Sequence, residues 1–449
     1  MTLRIAVVGG GICGLAAAGF LRRAGLAVTV YEQATQISEI GAGLVVPPNA
    51  VRLVRRLGGF ERLQDVAVPL EVGWEFRRWQ DGTVLFAQRL GADCERLFGE
   101  PCFTAHRADL LDILLAAAGE PAPRLAARCV AVRHRPDHGD VELAFADGST
   151  ATADVVIGAD GTHSVVRDAV MGTTPGTPAA TNGAPPTTTP GTPAATNGAV
   201  RFSGVCAYRC LVPADRAPGF ALRPVQTLWL GPGHHLVHYP ISGGRYVNLV
   251  AFAPARDWRI ESWTAEGKVE DLRAEFEGWD PQLTKLVDAA ERTGRWALLD
   301  RDPLPAWTNG PITVAGDAAH PMFPFLGQGA AQAIEDGAVL AACLAGCGTG
   351  ADAGPDAGAD AGPDAGADAG PDAGADAGPA AALRRYEELR KPRTTQVQLL
   401  SHTRLHSNHL PDGPEQQARD ATFAAQDPLS HNAWIYGHDA EMGVAELSR

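Results

Sequence analysis

Two short runs hold the residue types best placed to do chemistry. Near the start, Gly9-Gly10-Gly11-Ile12-Cys13-Gly14 sets glycines at the first, third and sixth positions, and Glu32 follows eighteen residues after Gly14. A glycine at Gly9 permits a tight turn, one at Gly11 lets the main chain approach a pyrophosphate, and one at Gly14 lets a helix pack closely on a strand. Glu32 is placed to accept hydrogen bonds from ribose hydroxyls. Its charge disfavours a 2′-phosphate, so the pattern predicts a dinucleotide site for FAD or NAD. The second run, Gly316-Asp317-Ala318-Ala319-His320-Pro321, leads into a segment broken by Pro321, Pro324, Gly327 and Gly329. A Gly-rich loop feeding a helix from Ala330 offers backbone N–H groups to an anionic or electron-rich ligand. Asp317 stands where a strand ends, the usual place for ligand contacts in an open α/β sheet.

These residues need strands and helices to hold them. Leu3 to Val8 is an apolar, β-branched run, an Ala/Leu-rich helix follows to Ala24, and Ala27 to Tyr31 makes a second strand. Gly41-Ala42-Gly43-Leu44 reads as a loop entering a helix from Ala50 to Leu57. Arg107 opens another helix, Asp109 to Ala118, and is a candidate phosphate contact. Strands are predicted at Cys129–Arg133, Val141–Ala146 and Thr152–Ile157, the last ending in Gly158-Ala159-Asp160-Gly161 before a further helix. Asp160 is again at a strand's carboxyl end. Arg201 to Pro213 and Gln226 to Phe252 alternate apolar and polar residues, as half-buried antiparallel strands do. Pro311 to Ala315 returns to a short buried strand, and Ala380 to Arg404 is a charged amphipathic helix.

The predicted fold class is therefore α/β: a Rossmann-like nucleotide-binding domain, a mainly β domain and a C-terminal helix. The expected divisions are 1–172 and 301–350 for the nucleotide domain, 200–300 for the β-rich domain and 380–449 for a helical end. Between them lie 173–199, where T-T-P-G-T-P-A-A-T-N-G-A occurs twice, and 351–379, an Ala/Asp/Gly/Pro tract of period eight. Neither has an apolar face to bury, so both are expected to be disordered and without chemistry. The net charge of −14 owes half its magnitude to the seven aspartates of the second tract. What remains gives no reason to expect nucleic acid or an anionic membrane as a partner. Eight scattered cysteines lack zinc-like spacing with histidine and read as reduced thiols; no metal site is expected. With no leader or membrane span expected, the protein is assigned to the cytoplasm, as a monomer or homodimer.

Four elements together, in this order, carry a resemblance. They are the Gly9–Gly14 loop with Glu32, then Arg107, then Ala159-Asp160-Gly161 running to Arg167, then Gly316 to Pro321. The combination resembles the single-component (group A) FAD-dependent aromatic hydroxylases over nearly all of the chain outside the two tracts. Trp229–Phe252 and Tyr386–Arg393 look most like the salicylate and 3-hydroxybenzoate hydroxylase branch. The resemblance implies that Gly9, Gly11, Gly14 and Glu32 hold the ADP half of FAD, with Gly43 and Arg107 near them and the Val130 backbone on the adenine side. Asp160 would belong to a motif serving both FAD and NAD(P)H. Asp317 would bind the ribityl and pyrophosphate part, and Pro324 to Ala330, including Gly327, Gly329 and Ala330, would lie along the isoalloxazine ring.

For catalysis the matching positions are His235, Tyr239 and Gln328. His235 and Tyr239 are four apart on one predicted strand and so share a face, whereas His238 takes the other. The implied reaction passes a hydride from NADH or NADPH to FAD and uses O2, through a flavin hydroperoxide, to hydroxylate a small phenolic or aromatic acid. A phenol reacts far more readily when ionised, and histidine is suited to remove its proton. For a substrate carboxylate, Arg209 and Arg245 are both available. Urate-type hydroxylation or alkene epoxidation on the same scaffold, a flavin reductase that inserts no oxygen, and a non-catalytic scaffold stay open as alternatives.

Overall fold

The computed structural model describes residues 3–37, 42–172, 200–256, 258, 265–347, 378–425 and 428–446. Both repeat tracts therefore lie outside the described residues, apart from the last two positions of the second.

Two sheets position the site. The first has five strands in the order Thr308–Asn309, Ile312–Val314, Val155–Gly158, Arg4–Val8 and Ala27–Tyr31, with the last four parallel. Its central strands are apolar on both faces, as a parallel sheet covered by helices requires. The covering helix Ile12–Arg23 buries ten of its twelve residues. It lies against Gly329–Leu344 so closely that a Cβ on Gly337 would sit 2.7 Å from the Ala17 nitrogen, which explains a glycine inside that helix.

The second sheet has eight strands, ordered Glu266–Gly267, Thr293–Arg301, Val200–Pro213, Tyr246–Pro254, His234–Ile241, Val225–Gly231, Gly73–Arg78 and Val84–Gln88. One face carries Tyr208, Trp229, Leu236, Leu249 and Ala251 and packs on Leu272, Leu283 and Leu286 of two short helices. The opposite face carries Ala207, Val250, Phe252, Trp296 and Leu298 and meets Phe323 and Phe325 of the loop that follows Asp317. A substrate placed between this face and that loop would thus touch both halves of the chain.

Several boundaries differ from those read from the sequence. Gly43–Val46 is a strand, not a loop, paired antiparallel with Phe103–His106. Its ladder partner lies sixty residues away, beyond the reach of local pattern. Thr152–Ile157 is two strands in different sheets, Thr150–Ala153 and Val155–Gly158, because Asp154 turns aside to bind the Arg4 main chain and side chain. The large sheet draws Gly73–Arg78 and Val84–Gln88 from inside the span 1–172. Four helices rather than one close the chain: Pro379–Ser407, Pro414–Ala425, Pro428–Tyr436 and Ala440–Glu446. Pro379, read as the end of the second tract, is the first residue of the longest of them, where a missing N–H costs nothing.

Gly329–Cys347 is apolar and long enough to cross a membrane by length and composition, with a mean hydropathy of 1.3. Yet 67% of it is buried within the protein, and it carries the buried acids Glu335 and Asp336. It is a core helix.

Candidate active site

The three glycines of the first loop meet three different demands. Gly9 has φ +108°, and a Cβ there would lie 2.2 Å from the Ala159 carbonyl oxygen, so this turn is pressed against the strand end bearing Asp160. At Gly14 a Cβ would lie 1.9 Å from the Gly9 oxygen, which is the close helix-on-strand packing expected there. Gly11 has nothing within 4 Å on its Cβ side. That open side fronts the N-terminus of the Ile12–Arg23 helix, which no side chain caps. Free amides beside open space are what a pyrophosphate needs. Glu32 accepts from Gly10 N–H at 2.6 Å and Ala34 N–H at 2.8 Å, so the acid is locked beside the loop with lone pairs left over.

Val130 is 39% exposed and is the extra residue of a β-bulge between Cys129 and Ala131, which leaves its main chain out of the ladder. Arg107 begins its helix, and its N–H donates to the Ala42 carbonyl at 2.9 Å, tying it to the strand of Gly43. Gly43 itself lies against the large sheet. Its N–H donates to Asn248 Oδ1 at 2.8 Å, and a Cβ would strike Asn248 and Tyr239 at 2.7 Å.

Asp160 accepts from Ser164 Oγ at 2.5 Å and from the amides of Val165 and Val166, so it caps the Val165–Met171 helix. Burial raises its pKa against these hydrogen bonds. Arg167, on that helix, reaches the Ala318 carbonyl at 3.4 Å and so joins this motif to the Asp317 turn. Asp317 is exposed between the buried Gly316 and Ala318 and makes no side-chain hydrogen bond or ion pair among the described residues. A carboxylate held out of the fold this way is available to a ligand. Gly327 takes φ +62° and turns the loop, while Gly329 has open space on its Cβ side and Ala330 is partly exposed. The helix from Gly329 is likewise uncapped by any side chain.

Gln328 is buried and held by other side chains. It is 2% exposed, and its Oε1 accepts from Asn49 Nδ2 at 3.2 Å and Gln332 Nε2 at 3.1 Å. It belongs to a buried polar cluster that the sequence reading missed. Arg390 donates to Asp336 at 2.8 Å and Glu335 at 2.5 Å, and Arg393 donates to Glu335 at 2.8 Å. Asp336 also accepts from the Gly316 amide at 2.8 Å and pairs with His320 Nε2 at 2.6 Å. The positive groups outweigh desolvation, holding the Glu335 carboxyl down at about 2 and Asp336 below its usual range. The cluster fixes the Gly316-Asp317 turn to both long helices. A signal was present: adjacent acids in an otherwise apolar helix must find buried cations.

On the large sheet, cross-strand rows put His235, Phe252, Ala207 and Trp296 side by side, then Val237, Val250 and Arg209, then Tyr239, Asn248 and Leu211. All share the face turned to the loop. His238 faces the other way, against Phe220, and burial takes its pKa down to about 3. His235 is 1% exposed, stacks on Phe252 at 4.3 Å and meets the edge of Phe325 at 5.1 Å. Its Nδ1 lies 2.6 Å from Nε2 of His409, a residue that nothing in the sequence singled out. Desolvation drives the His235 pKa well below 6.5, so the ring is neutral at pH 7. Tyr239 is buried, which raises its pKa and keeps its hydroxyl protonated. Arg209 lies 3.6 Å from the centre of the Trp296 ring, whereas Arg245 is exposed in a turn and donates to the Ser242 carbonyl at 3.0 Å.

A family model described as FAD binding domain matches residues 2–356. The chain belongs to this family. It is a FAD-dependent monooxygenase of the aromatic hydroxylase group, and its relatives bear that out. It is 40% identical over 440 residues to 3-amino-4-hydroxybenzoate 2-monooxygenase PtnB3 of Streptomyces platensis, covering 97% of this chain and 96% of that one. It is 35% identical over 344 residues to 6-hydroxynicotinate 3-monooxygenase of Pseudomonas fluorescens, covering 76% and 82%. A solved salicylate hydroxylase substrate complex superposes with a TM-score of 0.73 at 26% identity, covering 99% of this chain and 97% of that one. The open glycine cradle, the two uncapped helix N-termini and the outward Asp317 fit the FAD that this family binds. All eight thiols of this FAD-binding protein are free, and no cluster of metal-binding side chains occurs among the described residues.

Proposed function

We propose that this enzyme hydroxylates a small hydroxylated aromatic acid of the 3-amino-4-hydroxybenzoate type, using NADH or NADPH and O2. Bound FAD supplies the redox chemistry, taking electrons from the nicotinamide and activating oxygen. The protein's own work is to bind the ring, ionise it and keep water away. The observation that carries this reading is the shared face of His235, Tyr239 and Arg209, closed by Phe325 of the loop after Asp317. On that face His235 takes the phenolic proton, Tyr239 orients the ring through its protonated hydroxyl, and Arg209 attracts the carboxylate. Arg245 is the weaker candidate because it points into a turn. Phe252, Phe323 and Phe325 exclude water from the reacting ring. Gly9, Gly11, Gly14, Glu32, Gly43, Arg107, the Val130 backbone, Asp160, Asp317, Gly327, Gly329 and Ala330 are proposed to hold FAD. The free thiols suit a reducing compartment, in keeping with a cytoplasmic enzyme.

The test is a panel of 3-amino-4-hydroxybenzoate, 6-hydroxynicotinate, 3-hydroxybenzoate, salicylate and urate, scored by hydroxylated product. Product from one or more of the phenolic acids is expected, and nicotinamide oxidation without product from any of them sinks the reading. In parallel, His235→Ala should lower hydroxylation by about 100-fold or more with flavin content unchanged. Full coupled turnover in that variant would remove His235 from the chemistry.

A further inference from the structure

Gln328 ends the loop after Asp317 and stands just before the Gly329–Leu344 helix. The side chains around it can each be assigned as donor or acceptor. Arg390 is the anchor, because a guanidinium only donates. Its Nη2 lies 2.8 Å from one side-chain atom of Gln332, which must therefore be the oxygen. The other end of that amide is the NH2, and it lies 3.1 Å from Gln328. The atom of Gln328 that meets it must be Oε1.

A second route reaches the same answer. Glu335 is paired with both Arg390 and Arg393, so it is a carboxylate and only accepts. The Asn49 atom 2.7 Å from it must then be Nδ2. The same NH2 lies 3.2 Å from Gln328, which again has to offer its oxygen. Asn49 Oδ1 is left enclosed with no hydrogen bond among the described residues, so this asparagine serves as a donor only.

With its oxygen held from two sides, Gln328 has to turn its NH2 away from the cluster. That group makes no hydrogen bond among the described residues, yet it is not enclosed, so it reaches open space. The neighbours locate that space. Gly329 has nothing within 4 Å on its Cβ side, and a Cβ on Gly327 would lie 3.4 Å from Val45. Val45 belongs to the same short strand as Gly43, which is pressed against Tyr239.

We propose that Asn49 and Gln332 are positioning residues that fix the polarity of the Gln328 amide, so that the loop presents a donor, never an acceptor, to the ligand beside it. The atom it meets is a lone-pair acceptor, either an oxygen of the aromatic substrate or a carbonyl or ring nitrogen of the flavin. The inference rests on the reading of this loop as a wall of the ligand site. A freely turning amide would serve a donor or an acceptor equally well. Locking it turns away a ligand group that can only donate.

The experiment uses holoenzyme and three variants. Gln328→Glu keeps an oxygen for Asn49 and Gln332 but turns a second one outward, whereas Gln328→Met has neither a polar end nor a charge. Both should raise the same constant at least about tenfold. A rise in the KM of the aromatic acid assigns the acceptor to the substrate; a rise in the FAD dissociation constant assigns it to the flavin. Loss in the Glu variant alone is charge repulsion and overturns the proposal. The double variant Asn49→Leu/Gln332→Met frees the amide and should raise that constant too. Adding Gln328→Met to it should then cost less than Gln328→Met costs in the wild type, and a full multiplicative loss overturns the positioning role. If the double variant does not fold, neutron diffraction from substrate-bound holoenzyme decides alone. Deuterium is expected on the outward atom of Gln328, within about 3.2 Å of a ligand acceptor. An outward oxygen, or no ligand acceptor in reach, overturns the proposal. If no acid of the panel is hydroxylated while the outward amide donates to the flavin, only the substrate reading fails. If product forms and both Gln328 variants match the wild type, only this inference fails.

Discussion

At the nucleotide sheet, what is left open is mostly main chain: an open glycine, two uncapped helix ends and a bulged strand, with the outward carboxylate of Asp317 beside them. On the large sheet the proposed site is built of side chains, with His235, Tyr239, Arg209 and Phe252 projecting from three strands and His409 from the turn after Pro379–Ser407. The first surface is selective through shape, because an added methyl group is a collision. The second is selective through chemistry, because the strands would be the same with other side chains. A main-chain site is hard to retune, whereas a side-chain site can change substrate without changing fold. The relatives fit that contrast: the 3-amino-4-hydroxybenzoate and 6-hydroxynicotinate monooxygenases align with most of this chain, and the solved salicylate hydroxylase shares its fold.

The sharpest way to break the comparison is at the glycines. Gly14→Val should yield no FAD-loaded protein, since even a Cβ would lie 1.9 Å from the Gly9 oxygen. Gly11→Ala has room in the protein itself, so its thermal stability without FAD should change by less than about 0.5 kcal/mol while FAD affinity falls at least about tenfold. Unfolding by urea, with flavin fluorescence for binding, separates the two. A Gly11→Ala variant that binds FAD normally would mean the main chain there does not approach the ligand.

Arg390→Met tests whether the two regions are rigidly joined. It leaves Glu335 and Asp336 short of a cation in the interior and should cost about 3–5 kcal/mol in urea unfolding. Flavin retention should suffer more than substrate binding, because Asp336 holds the Gly316 amide. The reverse order would show that the cluster supports the substrate face instead.

The smallest effect concerns pH. The Glu335 carboxyl titrates at about 2 in the fold, below its ordinary 4.5, so its contribution is present above pH 4.5 and lost as pH falls towards 2. His238 titrates at about 3 and His409 at about 4, against an ordinary 6.5. The unfolded chain takes those protons first, so stability should already decline from pH 6.5 downward. Both ring nitrogens of His238 are buried without a hydrogen-bond partner among the described residues. His238→Leu should therefore flatten the decline between about pH 6.5 and 3 by up to one proton, leaving hydroxylation unchanged, as its place on the far face requires. An unaltered slope in urea midpoints at pH 7 and 5.5 would contradict this.

The two regions also differ in how far they could be read from residues alone. The glycine loop, Glu32 and the first two strands were legible because every partner lies within a few dozen residues. The alternation along His234–Ile241 revealed that His235 and Tyr239 share a face, and their contacts agree. The contacts of Gln328 were not foreseen because Asn49, one of its partners, lies on a helix 279 positions away. Gly43–Val46 was read as a loop because a four-residue strand carries almost no periodic signal. His409 could not be found at all: its significance comes from a strand 174 positions earlier, and no local pattern records that distance.

The order in which the chain is made gives the C-terminal helix a further meaning. Arg390 meets Asp336 from 54 positions further along the chain, and His409 arrives later still. During synthesis, domains form from the N-terminal side onward, so the nucleotide sheet can assemble while Glu335 and Asp336 still have no cation to meet. Only after residue 390 emerges can that helix pair its acids with Arg390, and only after residue 409 can the His235 ring meet the His409 ring. A chain cut short before residue 409 would still have the strands and the glycine loop, yet His235 would lack its ring partner. Emergence of the segment from residue 390 to residue 409 is thus the late step in joining these two regions.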